Sequence, residues 1–147
     1  LGTAGALSKI ETKYNGSIFV SNCDIVINTD YKAIHDFHFK GSYDLTLVAS
    51  MRHYKIPYGV CNLDNAGKLN NIDEKPEYDF LVNTGVYIVQ SSLLKLIPKD
   101  IYFDMTDLIS KAKKNNFKVG VFPISQESWF DIGQWSEYNK NLDKITI

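Results

Sequence analysis

The chain has 147 residues and a mass of 16.7 kDa; it is 44% hydrophobic and 22% charged, with a formal net charge of −1. That fits a single domain, residues 1–147, able to bury about 70% of its unfolded surface. It excludes the basic footprint of a nucleic-acid binder or a polybasic membrane anchor. No apolar run approaches the ~18 residues that span a bilayer, and nothing has the layout of a signal peptide. The expectation is a cytoplasmic protein with neither nucleic acid nor membrane as partner. Cys23 and Cys61 stand far apart without ligand spacing, which predicts reduced, partly buried thiols.

The opening Leu1-Gly2-Thr3-Ala4-Gly5 has no methionine and no strand before it, and reads as part of a longer protein. Residues 2–10 read as a loop entering a helix with Thr3 as N-cap. The continuous apolar run Ser17–Val20 predicts a strand buried on both faces. Ala33, Ile34 and Phe37 share one face of a helix over 30–40, stopped by Gly41. A second apolar strand covers 44–50. Residues 58–63, the turn Asp64-Asn65-Ala66-Gly67 and residues 68–72 predict strand, turn, strand. Val82–Gln90 is a strand interrupted by Thr84-Gly85, and Ser91–Ile97 a short helix closed by Pro98. Asp104 caps a helix striped by Met105, Leu108, Ile109 and Ala112. Phe117–Ile124 is the last strand, and Trp135, Tyr138 and Leu142 mark a last helix. Strands alternating with helices, with paired strands midway, predict a mixed α/β sheet.

Asp24 follows the first strand directly, where ligands gather in α/β sheets; a turn-capping role is the plain alternative. Asp131 sits among bulky apolar residues in Trp129-Phe130-Asp131-Ile132-Gly133, where a carboxylate needs a cation, hydrogen-bond donors or a capping role. Two such aspartates could share one magnesium ion, which one or two carboxylates commonly hold with substrate phosphates and water. Lys75, before Pro76, is either a phosphate contact or a solvated surface lysine. Asn83-Thr84-Gly85 is either a ligand approach or a β-bulge, and Tyr58-Gly59 invites the same two readings. His35 and His38 lie at i, i+3 without a third ligand, and read as a helix face rather than a metal site.

Taken in order, Leu1–Leu7, Asn22-Cys23-Asp24, Tyr58-Gly59-Val60, Glu74-Lys75-Pro76, Asn83-Thr84-Gly85-Val86-Tyr87 and Trp129-Phe130-Asp131-Ile132-Gly133 resemble the nucleotidyltransferase family that makes nucleotide sugars, most of all its mannose-1-phosphate guanylyltransferase-like members. The resemblance implies an incomplete Rossmann-like mixed sheet flanked by helices, of the nucleotide-diphospho-sugar transferase type. It implies that Gly2, Thr3 and Gly5 lie in the segment that contacts the nucleobase. Tyr58, Gly59, Glu74, Asn83 and Thr84 fall in the blocks that carry the hexose contacts, and Lys75 falls where the family contacts the sugar phosphate. Asp24 and Asp131 match its magnesium-binding aspartates.

The implied reaction is attack by a sugar-1-phosphate oxygen on the α-phosphorus of a nucleoside triphosphate, GTP being favoured, with Mg2+ as cofactor and pyrophosphate as leaving group. The family's glycine-rich triphosphate loop, with its arginine and lysine, is missing, as is the first βαβ unit. The chain by itself is therefore expected to be inactive, with an uncovered sheet edge that favours a homo-oligomer. The alternative is a non-catalytic sugar-phosphate-binding or regulatory module related to these enzymes.

Overall fold

The computed structural model describes residues 2–10 and 15–133. The expected helix on Trp135, Tyr138 and Leu142 lies outside the described residues. The described elements run β1 (Ser17–Ser21), β2 (Ile25–Ile27), α1 (Tyr31–Lys40), β3 (Leu45–Lys55), β4 (Val60–Leu63), β5 (Leu69–Asp73), β6 (Glu77–Gln90), α2 (Met105–Lys114), β7 (Val119–Ile124) and β8 (Trp129–Asp131). Short 3-10 segments cover Gly5–Lys9, Ser91–Leu96 and Gln126–Ser128.

The main sheet has the order β1-β6-β3-β7. β6 pairs antiparallel with both β1 and β3, and β3 pairs parallel with β7. This is the mixed α/β sheet expected. Alternation along β6 splits its side chains between two cores, as the pleat requires. Tyr87 and Val89 pack with Leu45, Met105, Leu108 and Ala112 on the α2 face. Val86 and Ile88 pack with Val48, Ile34 and Ile124 on the α1 face. Both faces are thus covered, and each fully buried aliphatic side chain contributes about 1.5–3 kcal/mol.

Asp30 caps α1, its carboxylate accepting from the Lys32 N–H at 2.8 Å. Gly41 ends that helix in the right-handed region, and Ser42 takes the positive φ of 49°. The strands β3 and β6 are longer than their apolar runs suggest. Beyond Ser50 and Val82 the ribbon projects past the core, and from Glu77 to Phe80 of β6 charged and aromatic side chains alternate. Lys55 pairs with Glu77 at 2.7 Å and His53 with Asp79 at 2.8 Å along it.

Several expectations need correction. β1 is not buried on both faces: it pairs only with β6 among the described residues, in antiparallel fashion, and Phe19 is 47% exposed. An apolar run of four residues does not distinguish a central strand from an outer one. Thr3 does not cap the segment that follows it. Ala4 occupies that position without a side-chain bond, and Thr3 turns to α2 instead. Both cysteines are exposed rather than partly buried. The strands β2 and β8, three residues each, carry too little pattern to be read from sequence. Among the described residues no helix is long and apolar enough to cross a membrane.

Candidate active site

Asp24 stands between β1 and β2, and Asp131 closes β8. β2 and β8 form their own antiparallel pair, with Ile25 opposite Asp131 and Ile27 opposite Trp129. Ile132 then donates its N–H to the Asp24 carbonyl at 2.9 Å, and Gly133 donates to Asp131 Oδ1 at 3.1 Å. These bonds fold the Ile132-Gly133 turn across the two carboxylates. A Cβ on Gly133 would lie 2.6 Å from Asp24 Oδ2 and 3.3 Å from Asp131 Oδ1. Those two distances place the carboxylate oxygens no more than about 6 Å apart. One octahedral magnesium, with bonds of about 2.1 Å, holds two oxygens roughly 3–4 Å apart, a spacing within reach of side-chain rotation.

Asp24 is exposed and Asp131 half-buried. The apolar neighbours Trp129 and Phe130 therefore do not enclose Asp131, and its carboxylate does not carry the full desolvation cost that its sequence surroundings suggest. Among the described residues, no group of three or more His, Cys, Asp or Glu side chains is placed to hold a metal ion. A hard cation at this carboxylate pair would complete its shell with water and phosphate oxygens, the arrangement magnesium favours.

Next to this pair, Asn22 lies against Gly85. The Asn22 N–H donates to the Gly85 carbonyl at 3.0 Å, and Gly85 adopts a φ of 86°. A Cβ on Gly85 would come within 2.7 Å of Asn22 Nδ2. Residues 84–86 bulge out opposite Val48, between the pairs Leu47–Tyr87 and Ala49–Asn83. The bulge and the close approach are thus one feature. Asn83 is fixed at both ends: its Oδ1 accepts from the Gly85 N–H at 3.1 Å and its Nδ2 donates to the Tyr87 hydroxyl at 2.7 Å. Burial raises the Tyr87 pKa above its ordinary value, the Asn83 bond opposing the shift, so the phenol stays protonated. Thr84 is buried, and its hydroxyl donates to the Val48 carbonyl at 2.8 Å. It supports the bulge from beneath.

A second group gathers at the base of the β4–β5 hairpin. A Cβ on Gly59 would lie 3.1 Å from Glu74 Oε2, and the Lys75 N–H donates to the Tyr58 carbonyl at 3.3 Å. Lys75 has a φ of 47°, and its ammonium stands 3.9 Å from Glu74 Oε1. Tyr58, Gly59, Glu74 and Lys75 therefore form one exposed cluster beyond the end of the β3–β6 ribbon.

The third group docks on the start of α2. Asp104 Oδ1 accepts from the Thr3 N–H at 2.8 Å and the Thr3 hydroxyl at 3.1 Å, while the Met105 N–H donates to Thr3 Oγ1 at 3.0 Å. The N–H groups of Ala4 and Gly5 both donate to the Phe103 carbonyl at 3.0 Å. Gly2 has a φ of 74°, and a Cβ there would meet Phe103 O at 2.5 Å. The bond from Thr3, and then one from Tyr102, hold the Asp104 carboxyl below its usual range. Gly2 and Thr3 are thus tied into the fold itself. Asn22 and Tyr87 are the participants that the reading of single residues missed. Their signal lay inside the Asn22-Cys23-Asp24 and Asn83–Tyr87 blocks.

Residues 1–146 match the family model described as nucleotidyl transferase. Curated relatives include the mannose-1-phosphate guanylyltransferase catalytic subunit beta of Drosophila pseudoobscura pseudoobscura, 28% identical over 155 residues, covering 94% of this chain and 38% of that protein. The mannose-1-phosphate guanyltransferase of Aspergillus fumigatus is 30% identical over 150 residues, covering 94% of this chain and 39% of its own length. The chain thus spans about two fifths of the curated relatives it matches. Among solved structures, HddC from Yersinia pseudotuberculosis superposes with a TM-score of 0.67 at 25% identity, covering 99% of this chain and 63% of that one. A crystal of HddC complexed with GMP-PN gives the same TM-score and coverage at 22% identity. The neighbours share the nucleotide-diphospho-sugar transferase fold.

Proposed function

The chain belongs to the nucleotidyl transferase family, and we propose that it carries the sugar-phosphate side of a reaction that joins a nucleoside triphosphate to a sugar-1-phosphate. A phosphate oxygen of the sugar-1-phosphate bonds to the α-phosphorus, the bond from that phosphorus to the β-phosphate oxygen breaks, and pyrophosphate leaves with the electron pair. The nucleophile is already anionic, so no side chain has to remove a proton. What the protein supplies is alignment and charge compensation.

The observation that carries this reading is the convergence of Asp24 and Asp131 across Gly133. These two would hold Mg2+, which when bound offsets charge at the α-phosphate. Lys75 contributes a point charge for the attacking phosphate. Asn83, with its amide oriented by Gly85 and Tyr87, and the Tyr58, Gly59 and Glu74 cluster present donors and acceptors for sugar hydroxyls. Gly2, Thr3 and Gly5 shape the loop beside the base. GTP is the proposed donor, supported by the guanylyltransferase relatives and by the nucleotide analogue bound to HddC. The chain contains one arginine, Arg52, and no glycine-rich loop beside it, so the 147-residue chain is proposed to turn over negligibly on its own. Among the described residues β1 pairs on one side only, and its other side is the proposed route to self-association.

The test is Mn2+ binding, with Mn2+ as the spectroscopic substitute for Mg2+, by the wild type and by Asp24→Asn and Asp131→Asn. Loss of binding in either variant, with unchanged folding, supports the reading. Equal binding in all three proteins would sink it. Pyrophosphate release from GTP and mannose-1-phosphate by the 147-residue chain would refute the proposed inactivity and leave the metal role standing.

A further inference from the structure

We propose that Arg52 pins β8 through the Trp129 ring and so sets the position of Asp131 against Asp24, as a positioning residue rather than a catalytic one. The metal half of this inference rests on the function proposed above; the pin itself does not.

The β2–β8 pair stands apart from the four-stranded sheet and has three residue pairs. A two-stranded ribbon of that length is not stable alone, so its placement depends on what holds it to the rest of the fold. Trp129 is one anchor. It packs against the core on the α1 face, yet its indole N–H is buried with no acceptor among the described residues. A buried, unbonded donor opposes that position, so other contacts must over-determine it.

Arg52 supplies one. Its guanidinium carbon lies 4.5 Å from the centre of the Trp129 ring. Arg52 belongs to β3, opposite Phe80 of β6, so the stack links the main sheet to the small one. A planar guanidinium both stacks on an indole face and is attracted by its quadrupole, which a lysine ammonium does less well. Arg52 is also the sole arginine among 147 residues, beside 15 lysines. Two residues on from Trp129, on the same side of the strand by alternation, is Asp131. A ring that shifts therefore displaces β8, and with it the Asp131 carboxylate and the Ile132–Asp24 bond that holds the two carboxylates together.

The experiment compares the wild-type chain with Arg52→Lys and Arg52→Leu by residue-resolved hydrogen exchange and by Mn2+ titration. In Arg52→Leu, exchange at the Ile132 amide should quicken by about tenfold, with amides of the Leu45–Val48 and Val86–Val89 segments unchanged. Arg52→Lys should fall between, and Mn2+ affinity should drop several-fold in the same order. Wild-type exchange at Ile132 in Arg52→Leu would overturn the pin. So would an acceleration spread evenly over the core, which marks a merely structural residue. Selective acceleration with wild-type Mn2+ affinity would overturn the positioning role. Selective acceleration in a chain that binds no Mn2+ at all would uphold the pin and refute the metal reading instead.

Discussion

Ile132 donates its backbone N–H to the carbonyl oxygen of Asp24 at 2.9 Å, so the residue following one carboxylate is bonded to the residue bearing the other. Side chains 107 positions apart in sequence thereby share one turn. Their convergence depends on backbone, which side-chain substitutions at the two aspartates leave untouched, and so the geometry can be perturbed separately from the charge.

Gly133→Ala is the most direct perturbation. The new methyl would sit 2.6 Å from Asp24 Oδ2, and the Asp24 side chain, being exposed, can swing aside. The expected outcome is a loss of about tenfold or more in Mn2+ affinity, since a coordinating oxygen must stay near 2.1 Å from its ion. The melting temperature should change little. Calorimetric titration beside a thermal melt checks both, and unchanged affinity would show that the two carboxylates do not act together.

Gly85→Ala perturbs the same region from β6. Its φ of 86° disfavours any side chain, and the Cβ would press on Asn22 at 2.7 Å. Left-handed backbone costs roughly 1–2 kcal/mol for a residue with a Cβ, so a destabilisation of at least about 1 kcal/mol is expected in urea unfolding. Displacement of Asn22 should also weaken metal binding at Asp24, two residues on. An Asn22→Gly partner substitution should recover part of the stability by removing the clash.

The sheet, its flanking helices and the β4–β5 hairpin were legible in the sequence because apolar runs and turn residues mark them directly. What was not legible has particular causes. The Ser17–Val20 run looked internal because neighbour identity is set by residues far away in the chain. β2 and β8 are too short for a period to register. Asp24 and Asp131 had respectable turn and capping readings when taken singly, and only the order of the surrounding blocks pointed to a shared role. Thr3 resembles a local cap in sequence because its true partner, Met105, is 102 positions distant. Thr84, which local sequence leaves open between a ligand approach and a β-bulge, lies in the core with its hydroxyl bonded to Val48.

That long-range cap has its own test. Thr3→Ala removes the acceptor for the Met105 N–H and a donor to Asp104, and should destabilise the chain by about 1 kcal/mol. Thr3→Ser should retain most of the stability. Urea unfolding compares them, and wild-type stability in Thr3→Ala would show that the opening loop does not brace α2.

His38 offers a pH dependence. It is buried, with Nδ1 2.9 Å from Thr46 Oγ1 and Nε2 3.1 Å from Ser17 Oγ. Burial lowers its pKa below the ordinary 6.5, the nearby His35 adds to the shift, and Asp44 opposes it. The unfolded chain therefore takes up a proton near pH 6.5 that the folded chain refuses. The stability involved is fully present above about pH 6.5 and is lost as the pH falls below it. His38→Gln should be less stable at neutral pH yet show a shallower decline between about pH 7 and pH 5. Parallel declines for both proteins in urea midpoints would contradict this.

The ribbon formed by β3 and β6 gives the bulge opposite Val48 a mechanical meaning. From Ala49 to Lys55 the pair runs at most about 20 Å, at roughly 3.4 Å per residue along the strand, and the cluster of Tyr58, Gly59, Glu74 and Lys75 rides beyond its far end. At that reach a change of about 5° in the bend at the bulge would carry Lys75 through as much as nearly 2 Å, by the same strand geometry. The bulge is the fulcrum of a lever, where a small rotation in the sheet becomes travel on the scale of a hydrogen bond.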